Sequence, residues 1–174
     1  MTICLIGKNL TTLVLSKVLI NKGLNVDLYY KNNKLSKNLS KTSSRTIGLS
    51  NESIDFLENI DVPCYKIASA DVTNTPLQEK IAETGKPIIL STGARELDDV
   101  KRAYEVITKK NDNLYILHCT ASYPANLEDM NLNCIKTLIK TFPNNIIGFS
   151  DHENGIDAAS IAYRLGARIF EKHL

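Results

Sequence analysis

Two histidines near the carboxyl end of the sequence are the residues best suited to bind a metal. His152 and His173 are separated by about one strand–helix unit, so we expect them at the ends of adjacent strands. Two imidazoles that converge there can hold a divalent metal and leave positions open for water or substrate. Asp151 and Glu171 could then orient the two rings by hydrogen bonds. The alternative is two ordinary histidines beside two solvated carboxylates.

One lysine and several hydroxyl side chains could bind an anionic substrate. Lys86 stands at the start of a predicted strand, and its ammonium would meet an anion if its stem ran along the interior of the fold. Ser69, Ser91 and Ser150 stand at strand ends and offer hydroxyls to a phosphate or carboxylate. Tyr123 could line a sugar pocket. The alternatives are a surface lysine in a turn, serines that cap turns, and a tyrosine in a packed loop.

Strands alternate with helices at short intervals in the second half of the sequence. The predicted strands are 65–69, 87–92, 114–119, 145–149 and 167–171. The predicted helices between them are 75–84, 96–109, 131–141 and 156–165. This alternation predicts right-handed βαβ units and a parallel sheet. The sheet could be open and doubly wound, or it could be part of a (β/α)8 barrel.

The placement of polar residues favours the barrel. Nearly every one of these strands ends in hydrogen-bonding or reactive groups, as at Ser69, Ser91, His118, Ser150 and Glu171. Barrel enzymes build their sites from the carboxyl ends of successive strands. A doubly wound sheet instead concentrates its site at one switch point.

Composition excludes several classes of function. The net charge is only +2 and 43% of the residues are hydrophobic, so we expect neither a nucleic-acid partner nor a membrane partner. No apolar run approaches the ~20 residues of a membrane span. The four cysteines form no CxxC pair, which argues against a zinc ribbon. We expect a cytoplasmic protein that acts on small molecules, and a homodimer is left open.

The first part of the chain has a different pattern. A buried strand at Thr2–Ile6, a helix at 10–22 and a second strand at 25–30 predict a βαβ-like segment. The following stretch, 31–44, is nearly all Lys, Asn and Ser, which is typical of a solvated loop. We therefore place a boundary after residue 50.

Residues 51–174 resemble the N-acetylneuraminate (sialic acid) synthase family. The resemblance lies in YKIASADVTNTPLQEKIAETGKPIILSTG, ILHCTASYPANLEDMNL, IGFSDHENGID and GARIFEKHL, in that order. It implies the last five strands of a (β/α)8 TIM barrel that depends on a divalent metal, Mn²⁺ or Mg²⁺. It also implies a transferase that condenses phosphoenolpyruvate with an N-acetylated amino sugar, such as N-acetylmannosamine, in sialic acid biosynthesis.

The same resemblance implies roles for individual residues. His152 and His173 match the metal ligands, and Lys86 matches a lysine that contacts phosphoenolpyruvate and is the implied catalytic residue. The implied substrate-binding residues are Ser69, Lys86, Ser91, Tyr123 and Ser150. Ala121 departs from the Asn or Ser that is usual in the family, which removes a polar contact to the substrates.

Residues 1–50 resemble the amino terminus of FAD monooxygenases of the ubiquinone-biosynthesis type. Asn9 and Thr12 occupy positions where the phosphate-binding turn needs glycine, so we do not expect FAD to bind. The two resemblances meet near residues 53–58, which suggests a chimera. Because only five strands of the barrel are matched, two alternatives stay open. One is a non-catalytic fragment, and the other is a nucleotide-binding module in the N-terminal half.

Overall fold

The computed structural model describes residues 2–6, 25–29, 51–59 and 61–172. The strands are β1 Thr2–Ile6, β2 Asn25–Tyr29, β3 Tyr65–Ile67, β4 Ile88–Ser91, β5 Leu114–Cys119, β6 Ile146–Asp151 and β7 Ile169–Lys172. The helices are α1 Asn51–Asn59, α2 Thr75–Glu83, α3 Leu97–Thr108, α4 Cys134–Thr141 and α5 Asp157–Leu165. The predicted helix at 10–22, the polar stretch at 31–44, Asn9, Thr12 and His173 lie outside the described residues.

The strands of the described residues form one parallel sheet in the order β2-β1-β7-β6-β5-β4-β3. Each connection from β3 to β7 steps in the same direction across the sheet. A doubly wound sheet reverses direction at a switch point, whereas a barrel does not. The five strands β3 to β7 form a curled half-barrel, which confirms the expected partial (β/α)8 barrel. Strand β1 pairs with both β2 and β7, so two strands from residues 1–50 share this sheet.

The helices lie close to their predicted ranges, except that α4 begins at Cys134, three residues after its predicted start. The Asn74 side chain caps α2 by accepting a hydrogen bond from the Leu77 amide, and Pro76 occupies the first turn, where it costs no hydrogen bond. Gly85 follows the helix with a φ of +69°, and Gly166 follows α5 with a φ of +113°. Both are left-handed positions that favour glycine. Within the described residues, no helix is long and apolar enough to cross a membrane.

Alternate residues of the strands point to opposite sides of the curled sheet. In β4 and β5, Ile88, Leu90 and Ile116 pack with the helices in the main hydrophobic core. Ile89 and Leu117 belong instead to a second, smaller cluster together with Ile169 of β7. Because side chains in a strand alternate with a period of two, the second cluster marks the interior of the half-barrel.

Gly148 of β6 allows this interior to close. A Cβ atom at this position would lie 2.4 Å from Leu117 Cδ2 and 2.5 Å from the carbonyl oxygen of Ile169. These distances are far below van der Waals contact, so only glycine fits between β5 and β7. The layer of Leu117, Gly148 and Ile169 forms the floor beneath the polar residues described next.

Candidate functional site at the carboxyl ends of the strands

A lysine, a serine and a glutamate meet in the interior above this floor. The Lys66 ammonium on β3 donates a hydrogen bond to Ser91 Oγ on β4 at 2.7 Å. It also lies 3.2 Å from Glu171 Oε2 on β7. Because β3 and β7 are the outer strands of the five-stranded set, this ion pair crosses the interior of the curl. The side chain of Glu171 is only 14% exposed, so the pair is partly shielded from water.

Strand alternation explains why Lys66 points inward. Its neighbours Tyr65 and Ile67 are almost fully buried in the helix-facing core. Lys66 must therefore point to the other side of the sheet. The signal for this position in the sequence is a lysine between two large apolar residues of a short strand, whereas the motif resemblance pointed to Lys86.

His152 is held in a defined orientation just beyond β6. Its Nδ1 lies 2.6 Å from the carbonyl oxygen of Thr120, which can only accept a hydrogen bond, so Nδ1 must carry the proton. In the neutral ring, Nε2 then keeps its lone pair. Nε2 lies 3.3 Å from Ser150 Oγ and 3.9 Å from Cys119 Sγ. A ring nitrogen whose partner nitrogen donates to a carbonyl is the usual arrangement of a metal-binding histidine.

The exposed ring of Tyr123 covers His152. The two ring centroids are 3.9 Å apart with an interplanar angle of 27°, although Tyr123 is 67% exposed. The Tyr123–Pro124 peptide bond is cis. The predicted sugar-facing residue therefore lies at the rim of the site and stacks on the predicted metal ligand.

The turns after β3 and β4 are hydrogen-bonded to each other. Ser69 Oγ accepts a hydrogen bond from the Gly93 amide at 2.8 Å. Arg95 Nε donates to the Ser69 carbonyl at 2.8 Å, and its guanidinium also reaches the Ala70 carbonyl. These contacts bring Ser69 into the group that contains Ser91 and Ser150.

Cys119 fills the space between these side chains. A Cβ atom on Gly93 would lie 3.0 Å from both Cys119 Sγ and Ser69 Oγ, so the three residues are in close contact. Burial raises the pKa of the Cys119 thiol, and hydrogen bonds with Ser69 and Ser150 lower it in part. The thiol is therefore protonated at neutral pH and acts as a packing group.

Lys86 does not join this group. It precedes β4, and its ammonium pairs with Asp61 at 2.9 Å and with Glu58 at 3.1 Å. This position is the amino end of the strand, while Ser91 stands at the carboxyl end. The five residue steps from Lys86 to Ser91 span roughly 16 Å when extended. The structure thus corrects the expected placement: the lysine in the interior is Lys66.

The predicted partners of the histidines are also placed differently. Asp151 is not the hydrogen-bond partner of His152 Nδ1, which faces the Thr120 carbonyl, because its carboxylate pairs with the Lys172 ammonium at 2.8 Å on the helix side of the sheet. Glu171 pairs with Lys66. The described residues contain no group of three or more His, Cys, Asp and Glu side chains suited to a metal. His173 lies outside them, so the metal pair stays a prediction.

A separate cavity of about 380 Å³ lies on the helix side of β4 and β5. Its lining includes Arg95, His118, Thr120, Asn131 and Cys134. Burial lowers the pKa of His118, whose Nε2 lies 2.7 Å from the carbonyl oxygen of Met130. Lys66, Ser91 and His152 do not line this cavity, but Cys119 lines it and also contacts the interior group.

The fold and the interior group define a parallel α/β barrel protein whose polar residues converge at the carboxyl ends of its strands. Residues 33–174 match the model of the NeuB family, so the chain belongs to that family. This match begins well before residue 50 and runs through the proposed joint at 53–58. This match gives no support to a chimeric origin of the chain.

Relatives of known name support the same assignment. The chain is 38% identical over 127 residues to human N-acetylneuraminate-9-phosphate synthase, a match that covers 73% of this chain and 35% of the human protein. It is 40% identical over 125 residues to the N,N'-diacetyllegionaminic acid synthase of Campylobacter jejuni, covering 70% of this chain and 37% of that protein. The chain thus spans about a third of the length of these relatives.

A solved structure shows the same fold. The crystal structure of the Bacillus subtilis spore coat polysaccharide biosynthesis protein SpsE superposes with a TM-score of 0.71 at 32% identity. The superposition covers 92% of this chain and 40% of the Bacillus protein. The structural match therefore reaches beyond the 73% of the chain aligned with the human relative.

Proposed function

We propose that this chain carries part of a sugar-acid synthase site that condenses phosphoenolpyruvate with an N-acetylated amino sugar. The observation that carries this proposal is the Lys66 ammonium, held between Ser91 and Glu171 inside the half-barrel. An interior lysine among serine hydroxyls is suited to a small, highly charged anion. The names of the relatives, which include two synthases of nonulosonic acids or their phosphates, support the same reaction class.

Lys66 and the serines would bind phosphoenolpyruvate. The ammonium supplies the positive charge, and Ser69, Ser91 and Ser150 supply hydroxyls that can turn to donate to phosphate or carboxylate oxygens. Glu171 balances Lys66 in the absence of substrate, so an entering anion would compete with Glu171 for the ammonium. Partial burial strengthens this attraction relative to water.

The bound geometry would favour carbon–carbon bond formation. C3 of phosphoenolpyruvate bonds to the aldehyde carbon of the open-chain sugar, and water adds at C2. The C2–O bond to phosphate then breaks as the 2-keto group forms. The contribution of the protein is to position the two substrates and to stabilise negative charge.

His152 fits the divalent ion that the family resemblance implies. Its Nε2 lone pair faces the interior because Nδ1 donates to the Thr120 carbonyl. His173 would supply the second ligand. A bound Mn²⁺ or Mg²⁺ would polarise the sugar aldehyde. Tyr123, stacked on His152 at the rim, would contact the sugar.

The sugar is proposed only as a class. N-acetylmannosamine is the first choice, but the two relatives named above differ in their products. Ala121 is exposed beside Tyr123 and offers no polar side chain. A cytoplasmic location and a homodimer also stay proposals.

The test is an assay of the purified chain with Mn²⁺, phosphoenolpyruvate and N-acetylmannosamine. We expect release of inorganic phosphate that depends on both substrates. Lys66→Met should abolish phosphate release. Lys86→Met is the matched control, because Lys86 lies at the amino end of β4, away from the interior group at the carboxyl ends of the strands. Absence of phosphate release at high protein concentration would contradict the catalytic proposal and favour a non-catalytic binding role.

A further inference from the structure

We propose that Lys172 is a positioning residue that fixes the orientation of the His152 imidazole by holding the backbone on both sides of it. This inference rests on the proposed role of His152 in the site. Lys172 belongs to β7 and faces the helix side of the sheet, so it does not touch substrate. It would act through His152.

The Lys172 ammonium is buried and fully paired. Its side chain is 4% exposed, and that of Asp151 is 2% exposed. The ammonium donates to Asp151 Oδ2 at 2.8 Å, to the Gly155 carbonyl at 2.7 Å and to the Glu153 carbonyl. Three acceptors match the three N–H bonds of an ammonium. A buried pair of charges is costly to desolvate, and only such complete pairing compensates for that cost.

These contacts surround His152 in the sequence. Asp151 precedes it and Glu153 follows it, and both are held by the same ammonium. Asp151 Oδ1 also accepts a hydrogen bond from the Glu153 amide at 2.9 Å, which closes a turn around His152. The His152 carbonyl accepts from the Ala125 amide at 3.0 Å. The backbone of this residue therefore has little freedom.

A fixed backbone determines where the ring nitrogens lie. Nδ1 stays 2.6 Å from the Thr120 carbonyl, and Nε2 stays on the side of Ser150 and Cys119. If the loop moved, the ring could turn and present either nitrogen to the interior. Loss of the direct hydrogen-bond partner of a metal-binding histidine commonly changes metal affinity by about 10- to 100-fold, and a ring that turned away from Thr120 would lose that partner.

The first experiment measures the tautomer of His152 by ¹⁵N NMR of the imidazole at a pH where the ring is neutral. The double variant Asp151→Asn/Lys172→Met removes both charges together, so no unpaired charge is left buried. Lys172→Arg keeps a positive donor, and Lys136→Met is a control at an exposed lysine of α4. His152→Gln assigns the signal. Circular dichroism and thermal unfolding identify any variant that fails to fold.

We expect the Nδ1–H tautomer in the original chain, in Lys172→Arg and in Lys136→Met. In the double variant we expect a mixture that includes the Nε2–H tautomer. An unchanged tautomer in a folded double variant would overturn the proposal, as would an Nε2–H tautomer in the original chain.

The second experiment measures Mn²⁺ affinity from the paramagnetic relaxation of water protons. The dissociation constant should rise about 10- to 100-fold in the double variant and stay unchanged in Lys136→Met. Equal affinities in the original chain and the double variant would contradict the inference. If the original chain binds no Mn²⁺, the proposed metal role fails, while the tautomer measurement still decides the role of Lys172.

Discussion

The two ends of strand β4 show how differently the fold uses a lysine. At the carboxyl end, Lys66 from the neighbouring strand lies in the interior, where it pairs with Ser91 and Glu171. At the amino end, Lys86 pairs with Asp61 and Glu58. The Asp61 side chain is 94% exposed, so water competes for this second ion pair. The two lysines carry the same charge, but Lys66 lies in a shielded group of side chains and Lys86 lies in a solvated turn.

The position of a lysine along its strand therefore determines its surroundings more than its residue type does. Barrel proteins gather chemistry at the carboxyl ends of strands, while the amino ends serve stability. The Lys86 ammonium contacts carboxylates of α1 and of the turn after α1. The pKa of Lys86 is raised, mainly by its hydrogen bond with Asp61. The Lys66 ammonium meets groups from two further strands across the interior. Four predictions test this contrast, in order of expected size.

The largest effect is expected for Lys66→Met. Under the proposed function, Lys66 balances the charge of the reacting anion, so its removal should lower the rate of phosphate release by about 100-fold or more. Lys86→Met should change the rate less than about twofold, because Lys86 lies outside the interior group. Steady-state phosphate release measures both. Equal losses in the two variants would break the contrast between the two ends of the strand.

Gly148→Ala tests the tightness of the interior floor. The new methyl group would overlap Leu117 Cδ2 and the Ile169 carbonyl, and overpacking of this kind costs about 1–3 kcal/mol of unfolding free energy. Gly85→Ala is the control at the amino end, where no atom lies within 4 Å of the new Cβ but the φ of +69° is strained. It should cost about 1 kcal/mol. Urea unfolding compares them, and a larger loss at Gly85 would contradict the described packing.

Tyr65→Phe tests a hydrogen bond near the amino end of the sheet. The Tyr65 hydroxyl donates to Glu58 Oε1 at 2.6 Å, and burial is the main cause that raises the pKa of this phenol. Loss of this bond should lower the unfolding free energy by about 1 kcal/mol. Activity per folded molecule should not change. A loss of activity without a loss of stability would place Tyr65 in the site after all.

The smallest effect concerns pH. The Tyr65 hydrogen bond, followed by Lys86, lowers the pKa of Glu58 below its ordinary value of 4.5. A lowered pKa stabilises the fold above the unfolded value, and the stabilisation is lost as the pH falls through the folded value. The stability difference between the original chain and Tyr65→Phe should therefore shrink as the pH falls below 4.5. A difference that grew on acidification would contradict this assignment.

Much of the fold was predictable from local patterns. The helix predicted at 96–109 is observed at Leu97–Thr108, and the strand predicted at 87–92 is observed at Ile88–Ser91. Apolar periodicity, proline and glycine specify such elements locally. Strand β6 extends to Asp151, two residues beyond its predicted end, because pairing with β7 continues through Ser150 and Asp151. Pairing between strands that are distant in the sequence leaves no pattern in the local sequence from which the end of the strand could be predicted.

The site was predictable where it follows directly from strand ends. The structure brings Ser69, Ser91, Ser150 and His152 together, as their positions after strands suggested. The lysine was not found, since the choice between Lys66 and Lys86 depends on which face of β3 meets the interior and on which end of β4 is open. Strand polarity alone argued against Lys86, because a residue that precedes a strand lies at its amino end.

The most direct test of the account is a binding titration with phosphoenolpyruvate in the presence of Mn²⁺, followed by calorimetry. The original chain and Lys86→Met should bind with equal affinity, while Lys66→Met should bind at least about 100-fold more weakly if it loses a charge-assisted contact worth about 3 kcal/mol. Undiminished binding by Lys66→Met, or a loss confined to Lys86→Met, would contradict the claim that the site lies at the carboxyl ends of the strands.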